Sequence, residues 1–554
     1  MVKRAVRYII IAQLCVFYFL PLLYSQEEKI FSREALINDT RQLVQTLEDT
    51  HPDPYIRGGG KIAFHRRFQE ILLAIPEQGM TKQEFYHLLL PFVASIGDGH
   101  TRVFLSPSRQ PSGPGLPLHF GIIEKNLYVS SVYDENYVPL LGALLVSVEG
   151  IPYEELVERQ GKLRGCDNEY HKLAYLSGSL RDKDGLESLL PEWQEGDEIH
   201  AVLKLASGEE KEYAFTLPEK LTDNPITPPS KIKLPSVEKI DFVYEFLDKE
   251  KQIALLRVDG MFSYRENFEF FSAMGVDWAK QYAERAYQKF HGKEPPENLQ
   301  EIIAGLPAAT DTFRSLVVDM KKAKTKTLLI DIRKNGGGNS AMSQILIYFL
   351  YGRKAMESLD TGYTIKKYSD LYFSHFKEDS LEKINKDRKI QLTRNDYDFK
   401  GEIEYHEEET EGAEKRKQDE EEYMKKMPTF MEEFQSGKYE GYYLPEKVIV
   451  ICSPYTYSSG YLMMKNHYLL GAKIVGTPSA QAGNSFGDIL NFTLNDSKLY
   501  VTVSYKLFVA FPNDAEKGRV LKPHYIISYD TLASYGFDPN AEILYALDLL
   551  PKIK

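Results

Sequence analysis

The spacing of apolar residues changes character twice along this chain. In REALINDTRQLVQTLEDTHPDPY (residues 33–55) and TKQEFYHLLLPFVASIGDGHT (81–101) they recur every third and fourth position. This predicts amphipathic helices, the second ending at glycine. Beyond Pro111 the pattern turns to short alternating segments: LHFGIIEKNLYVSSV, ALLVSVEGIPYEELV and DEIHAVLKLASGEEKEYAFTL. These predict strands of a small mixed module. The proline-rich stretch that opens residues 218–240, PEKLTDNPITPPSKIKLPS, reads as a linker. From KQIALLRVDGMF onward, short apolar runs and helical segments succeed one another: KTLLIDI, SAMSQILIYFLYG, KVIVICS, SGYLMMKNHYLLG and AKIVGTP. Such alternation predicts an α/β core with crossover helices. Two long polar, helical insertions interrupt it near 263–305 and 355–440. The second contains EEETEGAEKRKQDEEEYMKKM, whose mixed charge reads as a solvated helix or, alternatively, as part of a lid over a site.

Composition narrows the function classes. A chain of 554 residues that is 43% hydrophobic and rich in tyrosine and phenylalanine belongs to an ordered protein of several units. A net charge of -12 offers no basic field to nucleic acid, and no polybasic patch addresses anionic lipid. Lys3, Arg4 and Arg7 precede the apolar run YIIIAQLCVFYFLPLLYS, which is broken by Pro21 and ends at Ser25. This predicts a signal peptide over residues 1–25, export to the periplasm or beyond, and no stable membrane span after its removal. A retained anchor is the alternative. Past that segment only Cys166 and Cys452 remain. One pair could bridge in an oxidising compartment, but Cys452 sits in an apolar strand pattern and reads as a buried free thiol. No metal site follows from this count.

Three motifs carry candidate chemistry. In SPYTYSSGYLMM (453–464) a buried strand leads to Ser458 at a helix entrance, where first-turn N–H groups face whatever the serine attacks. There Ser459 is a candidate oxyanion donor, and a plain helix N-cap is the alternative for Ser458. In LLIDIRKNGGGNS (328–340) a strand ends in Asp331 and runs into three glycines. The pattern matches neither GxxxxGK[ST] nor GxGxxG, so oxyanion donation by Gly337 or Gly338 fits better than nucleotide binding. A tight turn braced by Asp331 and Arg333 is the alternative. In SIGDGHT (95–101), His100 is a candidate base, which a serine nucleophile requires at neutral pH.

Taken in order, DGHT, GALLVSVEGIP, KTLLIDIRKNGGG, TYSSG and AKIVGTP resemble the tail-specific (C-terminal processing) and tricorn-like superfamily of serine peptidases. THPDPY (50–55) is similar to the helical N-terminal region of such proteins, and GALLVSVEGIP to a PDZ turn. The resemblance implies an α/β fold with a ClpP/crotonase-like catalytic core over 241–554. Ahead of it would lie a helical region at 26–110 carrying DGHT and a PDZ-like module at 111–217. It implies Ser458 as nucleophile of a peptidase acting on peptide or protein substrates without metal or organic cofactor. GTPSAQAGNSFG contains no lysine where tail-specific members place their base, so the likeness is to the His-dependent tricorn-like branch. In that branch His100 is the base and Glu516 in DAEKGRVLKPHY the glutamate that orients it. The family's glutamate at the helix start is replaced by Tyr461. The PDZ-like module lacks a clear carboxylate loop, so it either presents substrate or braces the site. Two rival readings are an α/β-hydrolase-type esterase using Ser458, Asp514 and His524, and a non-catalytic binding protein on a peptidase fold.

Overall fold

The computed structural model describes residues 29–106, 113–193, 196, 198–221, 224–276, 278–359, 362–406 and 421–553. The segment read as a signal, residues 1–25, lies outside them. The fold centres on a six-stranded sheet with the order Phe242–Phe246, Ile253–Val258, Thr327–Asp331, Lys447–Cys452, Lys473–Gly476, Tyr525–Ile526. All neighbours are parallel except the first pair. Parallel strands need crossovers, and these cover both faces, which is why KTLLIDI and KVIVICS read as unbroken apolar runs. Leu256, Ile330 and Val450 pack with the helices Ala309–Ala323 and Ala341–Tyr351. Leu255, Leu329 and Ile449 pack with the C-terminal helix Ala541–Leu549. All six strand residues are fully buried, each contributing ~1.5–3 kcal/mol by transfer from water.

A second sheet joins distant parts of the chain. Its order is Tyr397–Asp398, Tyr363–Lys367, Tyr500–Val509, Asn484–Thr493, and the strand Arg102–Phe104 also pairs antiparallel with Tyr500–Val509. That pairing brings the end of DGHT to the C-terminal hairpin. The helices Arg33–Thr50, Gly60–Ala74 and Lys82–Ala94 pack over this sheet, sharing a core that includes Leu43, Phe85, Leu490 and Val501. Ser32 caps the first helix, and Thr81 with Glu84 forms a capping box on the third.

The middle of the chain is an antiparallel sheet with its own core. Its strands run Leu118–Ile123, Asn126–Val132, Leu144–Val148, Ile199–Lys204, Glu210–Phe215, with the helices Tyr153–Leu163, Glu169–Ser179 and Lys183–Leu189 packed on it. The insertion near 263–305 is helical, with Arg265–Ala273, Ala279–His291 and Leu299–Ala304 around a small core. The insertion near 355–440 is also largely helical, with Asp370–His375, Leu381–Arg388, Lys400–His406 and Pro428–Ser436, but it is more than a surface excursion. It adds the strands Tyr363–Lys367 and Tyr397–Asp398 to the second sheet, and its described end buries Met424, Met427 and Phe430 in the central core. Most of the mixed-charge run, residues 407–420, lies outside the described residues. Cys452 is a buried free thiol that donates to Thr477 O at 3.4 Å, and Cys166 is also unpaired. Among the described residues no helix is long and apolar enough to cross a membrane.

Asp39, fully buried on the first helix, accepts the N–H groups of Asp496 (2.9 Å) and Ser497 (2.7 Å) at the tip of the C-terminal hairpin. Removing it leaves the buried Ser497 N–H and the partly exposed Asp496 N–H unpaired, so Asp39→Ala is expected to lower stability by about 1–3 kcal/mol. A lower urea midpoint for release of the N-terminal helices would show this, and an unchanged midpoint would contradict the role of the contact.

Candidate active site

The strand Lys447–Cys452 ends in a turn whose polar side chains are spent on holding its shape. Thr456 Oγ1 donates to Ile332 O at 2.8 Å, Ser453 Oγ to Arg333 O at 2.5 Å, and the Tyr457 N–H to Asn335 O at 2.9 Å. The turn delivers Ser458 at φ 52°, ψ -123°, just ahead of the helix Ser459–Leu469. A side chain rarely adopts that backbone conformation, and holding it costs on the order of 1–3 kcal/mol. Ser458 occupies the N-cap position, yet its hydroxyl makes no capping bond. Its own N–H donates to Gln481 Oε1 at 3.2 Å. The hydroxyl therefore has no structural task in its own turn.

The glycine loop packs directly against this serine. A Cβ on Gly337 would sit 2.7 Å from Ser458 Cβ, and one on Gly338 would collide with Met261 O at 2.1 Å. Both glycines have positive φ, 112° and 137°. The loop is stitched on one side by the Met261 N–H to Gly337 O (3.0 Å) and on the other by Ser459 Oγ to Gly338 O (2.8 Å). The Gly337 N–H donates to Asn335 Oδ1 at 3.0 Å, so it is not free to receive an oxyanion. Gly338 and Ser459 retain N–H groups with no partner among the described residues. Asp331 and Arg333 form the expected brace, a bidentate pair at 2.9 and 3.0 Å, which Glu542 extends at 2.7 Å to the C-terminal helix.

His100 approaches from the opposite end of the sequence. It lines, together with Ser458, Ser459 and Gln481, one cavity of about 730 Å³. Its ring lies against that of Tyr457, with centroids 5.3 Å apart, and no direct hydrogen bond joins it to Ser458. Its loop is built around Asp98, which is fully buried and accepts from the His100 N–H (2.9 Å), Thr101 Oγ1 (2.5 Å) and Ser504 Oγ (2.6 Å). His100 Nδ1 is buried 3.7 Å from Asp98 Oδ1, which leaves Nε2 on the cavity side. His51 of THPDPY meets the same carboxylate, Nε2 to Oδ2, at 3.3 Å. Burial alone would raise the Asp98 pKa, but the imidazoles of His100 and His51 hold it well below the usual carboxylate range. Burial alone would lower that of His100, and the Asp98 carboxylate, with Asp167 behind it, outweighs this and raises it.

Asp167 comes from the middle module. It accepts from the Tyr457 hydroxyl at 2.8 Å and from the Gly99 N–H at 3.3 Å, and lies 3.4 Å from Arg57 Nη1. Its neighbour Asn168 donates to Ser479 O at 3.1 Å. The middle module thus grips both the serine turn and the histidine loop.

Residues 297–517 match peptidase family S41, a span that holds the glycine loop and Ser458. The part of the chain that carries the candidate nucleophile is therefore similar to the serine peptidases of family S41. The fold of the chain is similar to that of mature CPAF, at TM-score 0.55 and 12% identity over 92% of this chain and 96% of that one. It is also similar to mature CPAF complexed with lactacystin, at TM-score 0.55 and 14% identity over 93% and 98%. No curated protein sequence matches the chain.

The structure brings Ser458, Ser459, the glycine loop and His100 together. Glu516 stands apart: it is exposed on the short helix Ala515–Arg519, which packs beside Gly483 and Asn484, and makes no direct bond to His100. The combination of Ser458 with Asp514 and His524 is not assembled. Asp514 caps and pairs with Lys517, while His524 Nδ1 accepts the Ile474 N–H at 3.0 Å, and neither lines the cavity. Three participants escaped the reading of the sequence. Asp98 was visible two residues before His100, and Gln481 occupies the stretch where tail-specific members carry lysine. Asp167 has no local signal, because only tertiary packing brings it here.

Because Asp98 favours the charged imidazole, His100 is expected to titrate above the ordinary 6.5 in the folded protein. Asp98→Asn should move that midpoint down, because the carboxylate that favours the charged ring is lost. Titration of the histidine ring by NMR in the Ser458→Ala protein measures it, and an unmoved midpoint would show that Asp98 does not set it.

Proposed function

We propose that the chain is an exported peptidase of the His-dependent, tricorn-like kind, cleaving peptide bonds through an acyl-enzyme on Ser458 with His100 as general base. The observation that carries this reading is Ser458 itself. A non-glycine residue is held at φ 52° with an unbonded hydroxyl, in the cavity that His100 also lines. A strained strand-to-helix turn is how other serine hydrolases expose their nucleophile. In the reaction His100 Nε2 takes the Ser458 proton as Oγ attacks the peptide carbonyl, and the unpaired N–H groups of Ser459 and Gly338 receive the oxyanion. The imidazolium then protonates the leaving amine, and water, activated by the same nitrogen, releases the acyl group. The carboxylate in contact with the imidazole, and so the one that stabilises its charged form, is Asp98. Gln481 rather than a lysine stands beside Ser458, which supports the histidine branch over a Ser-Lys dyad.

Export rests on the basic and apolar residues 1–25. The middle module acts as a brace rather than a carrier of substrate, which its Asp167 and Asn168 contacts with the catalytic turns support.

A fluorophosphonate probe should label the wild-type protein and the His524→Ala variant at Ser458, and leave Ser458→Ala unlabelled. His100→Ala should reduce kcat/KM on a peptide substrate by about 10⁴-fold or more, as loss of a triad base does. Activity that depends on His524 and not on His100 would favour the esterase reading. Peptide binding without labelling of Ser458 would make the protein a binding module.

A further inference from the structure

The catalytic cavity runs away from Ser458 and His100 along the second sheet, and its far wall comes from the insertion near 355–440. Lys366, Arg388, Lys400 and Glu404 line it there. Strand register locates this wall relative to the chemistry. Lys366 pairs with Lys506, and Lys506 with Gly487, so the three stand in a row across neighbouring strands on one face. A Cβ on Gly487 would lie 4.0 Å from His100 Cε1, so the row begins under the imidazole. Two interstrand steps then set the Lys366 backbone about 10 Å from Gly487, a distance that a substrate residue one or two places from the scissile bond spans.

Charge at this wall does not balance. Asp398 holds Arg388 at 2.7 and 3.1 Å, Glu404 holds Lys400 at 3.4 Å, and Asp488 holds Lys506. Lys366 is the cation left over: half-buried, it has no ion pair or side-chain hydrogen bond among the described residues. Burial, then the nearby Lys506 and Arg388, brings its pKa down to about 8 against the pull of Asp398 and Asp488. Lys465 and His100 complete the charged lining at the catalytic end. A half-buried ammonium without a counter-ion is unfavourable, and an incoming carboxylate relieves it.

We infer that Lys366 determines specificity by receiving a substrate carboxylate, from an acidic side chain near the scissile bond or from the peptide C-terminus, in the cavity where Ser458 and His100 act. The inference rests on the catalytic reading of that pair. It makes the insertion a recognition wall and the substrate an anionic peptide.

The test uses full-length Ser458→Ala protein and fluorescent hexapeptides in matched pairs. One series exchanges Glu for Gln at each position in turn, and the other exchanges a free C-terminus for an amide. The carboxylate member of one series should bind about tenfold more tightly than its amide partner, the worth of one charge-assisted bond. The series that shows the difference identifies the source. Adding Lys366→Met should remove the difference while amide peptides bind as before, and Lys366→Arg should keep it. The preference should weaken as pH rises past about 8, where the free amine loses its proton. Equal or undetectable binding of both members, or a preference that survives Lys366→Met, overturns the subsite. Because binding is read without turnover, a wild-type protein that cleaves no peptide would refute the catalytic reading separately.

Discussion

The Asp98 carboxylate is the point on which the site turns. Buried among Thr101, Ser504, His51 and the two ends of the His100 residue, it ties a loop from the first hundred residues to a strand near the end of the chain. An isolated charge in that position would be strongly disfavoured, and three hydrogen bonds with two imidazoles make it tenable. One group thereby does two things: it fixes where the imidazole stands and biases its protonation. Thr502 Oγ1 donating to His100 O at 2.8 Å reinforces the same junction from the next residue pair along the strand.

Around that junction the site is assembled by backbone fit more than by side-chain reach. Gly338 has no room for a side chain against Met261, and Gly337 leaves space that Ser458 occupies. The strain in the Ser458 backbone is tolerated because neighbouring residues over-determine the turn: the Tyr457 N–H is held by Asn335, the Ser458 N–H by Gln481, and Ser459 Oγ reaches back to Gly338. Each donor committed to shape is one that is not free for a ligand: the Gly337 N–H is spent on Asn335, while those of Gly338 and Ser459 have no partner among the described residues.

The chain's central sheet was legible because both its faces are covered, so each strand prints as an apolar run that no other element would leave behind. Ser458, His100 and the glycine loop were legible for a different reason: each sits at a punctuation point where an element ends. What escaped has an equally physical cause. Tyr363–Lys367 is a half-buried strand reading YTIKK, and nothing in its own pattern separates it from a polar helix until Tyr500–Val509 pairs with it. Asp167 looks like any loop aspartate until the middle module docks and Tyr457 supplies its donor. Which glycine N–H is spent on Asn335 depends on rotations too small for residue identity to record.

The pairing of Arg102–Phe104 with Tyr500–Val509 has a bearing on when the candidate site is assembled. A ribosome releases the imidazole early and the hydroxyl late, and the strand that seats the former emerges later still. Until that strand is made, the nascent polypeptide holds its reactive groups unassembled, and closing so long a loop is slow compared with forming local helices. The candidate site therefore cannot assemble until most of the chain has been made.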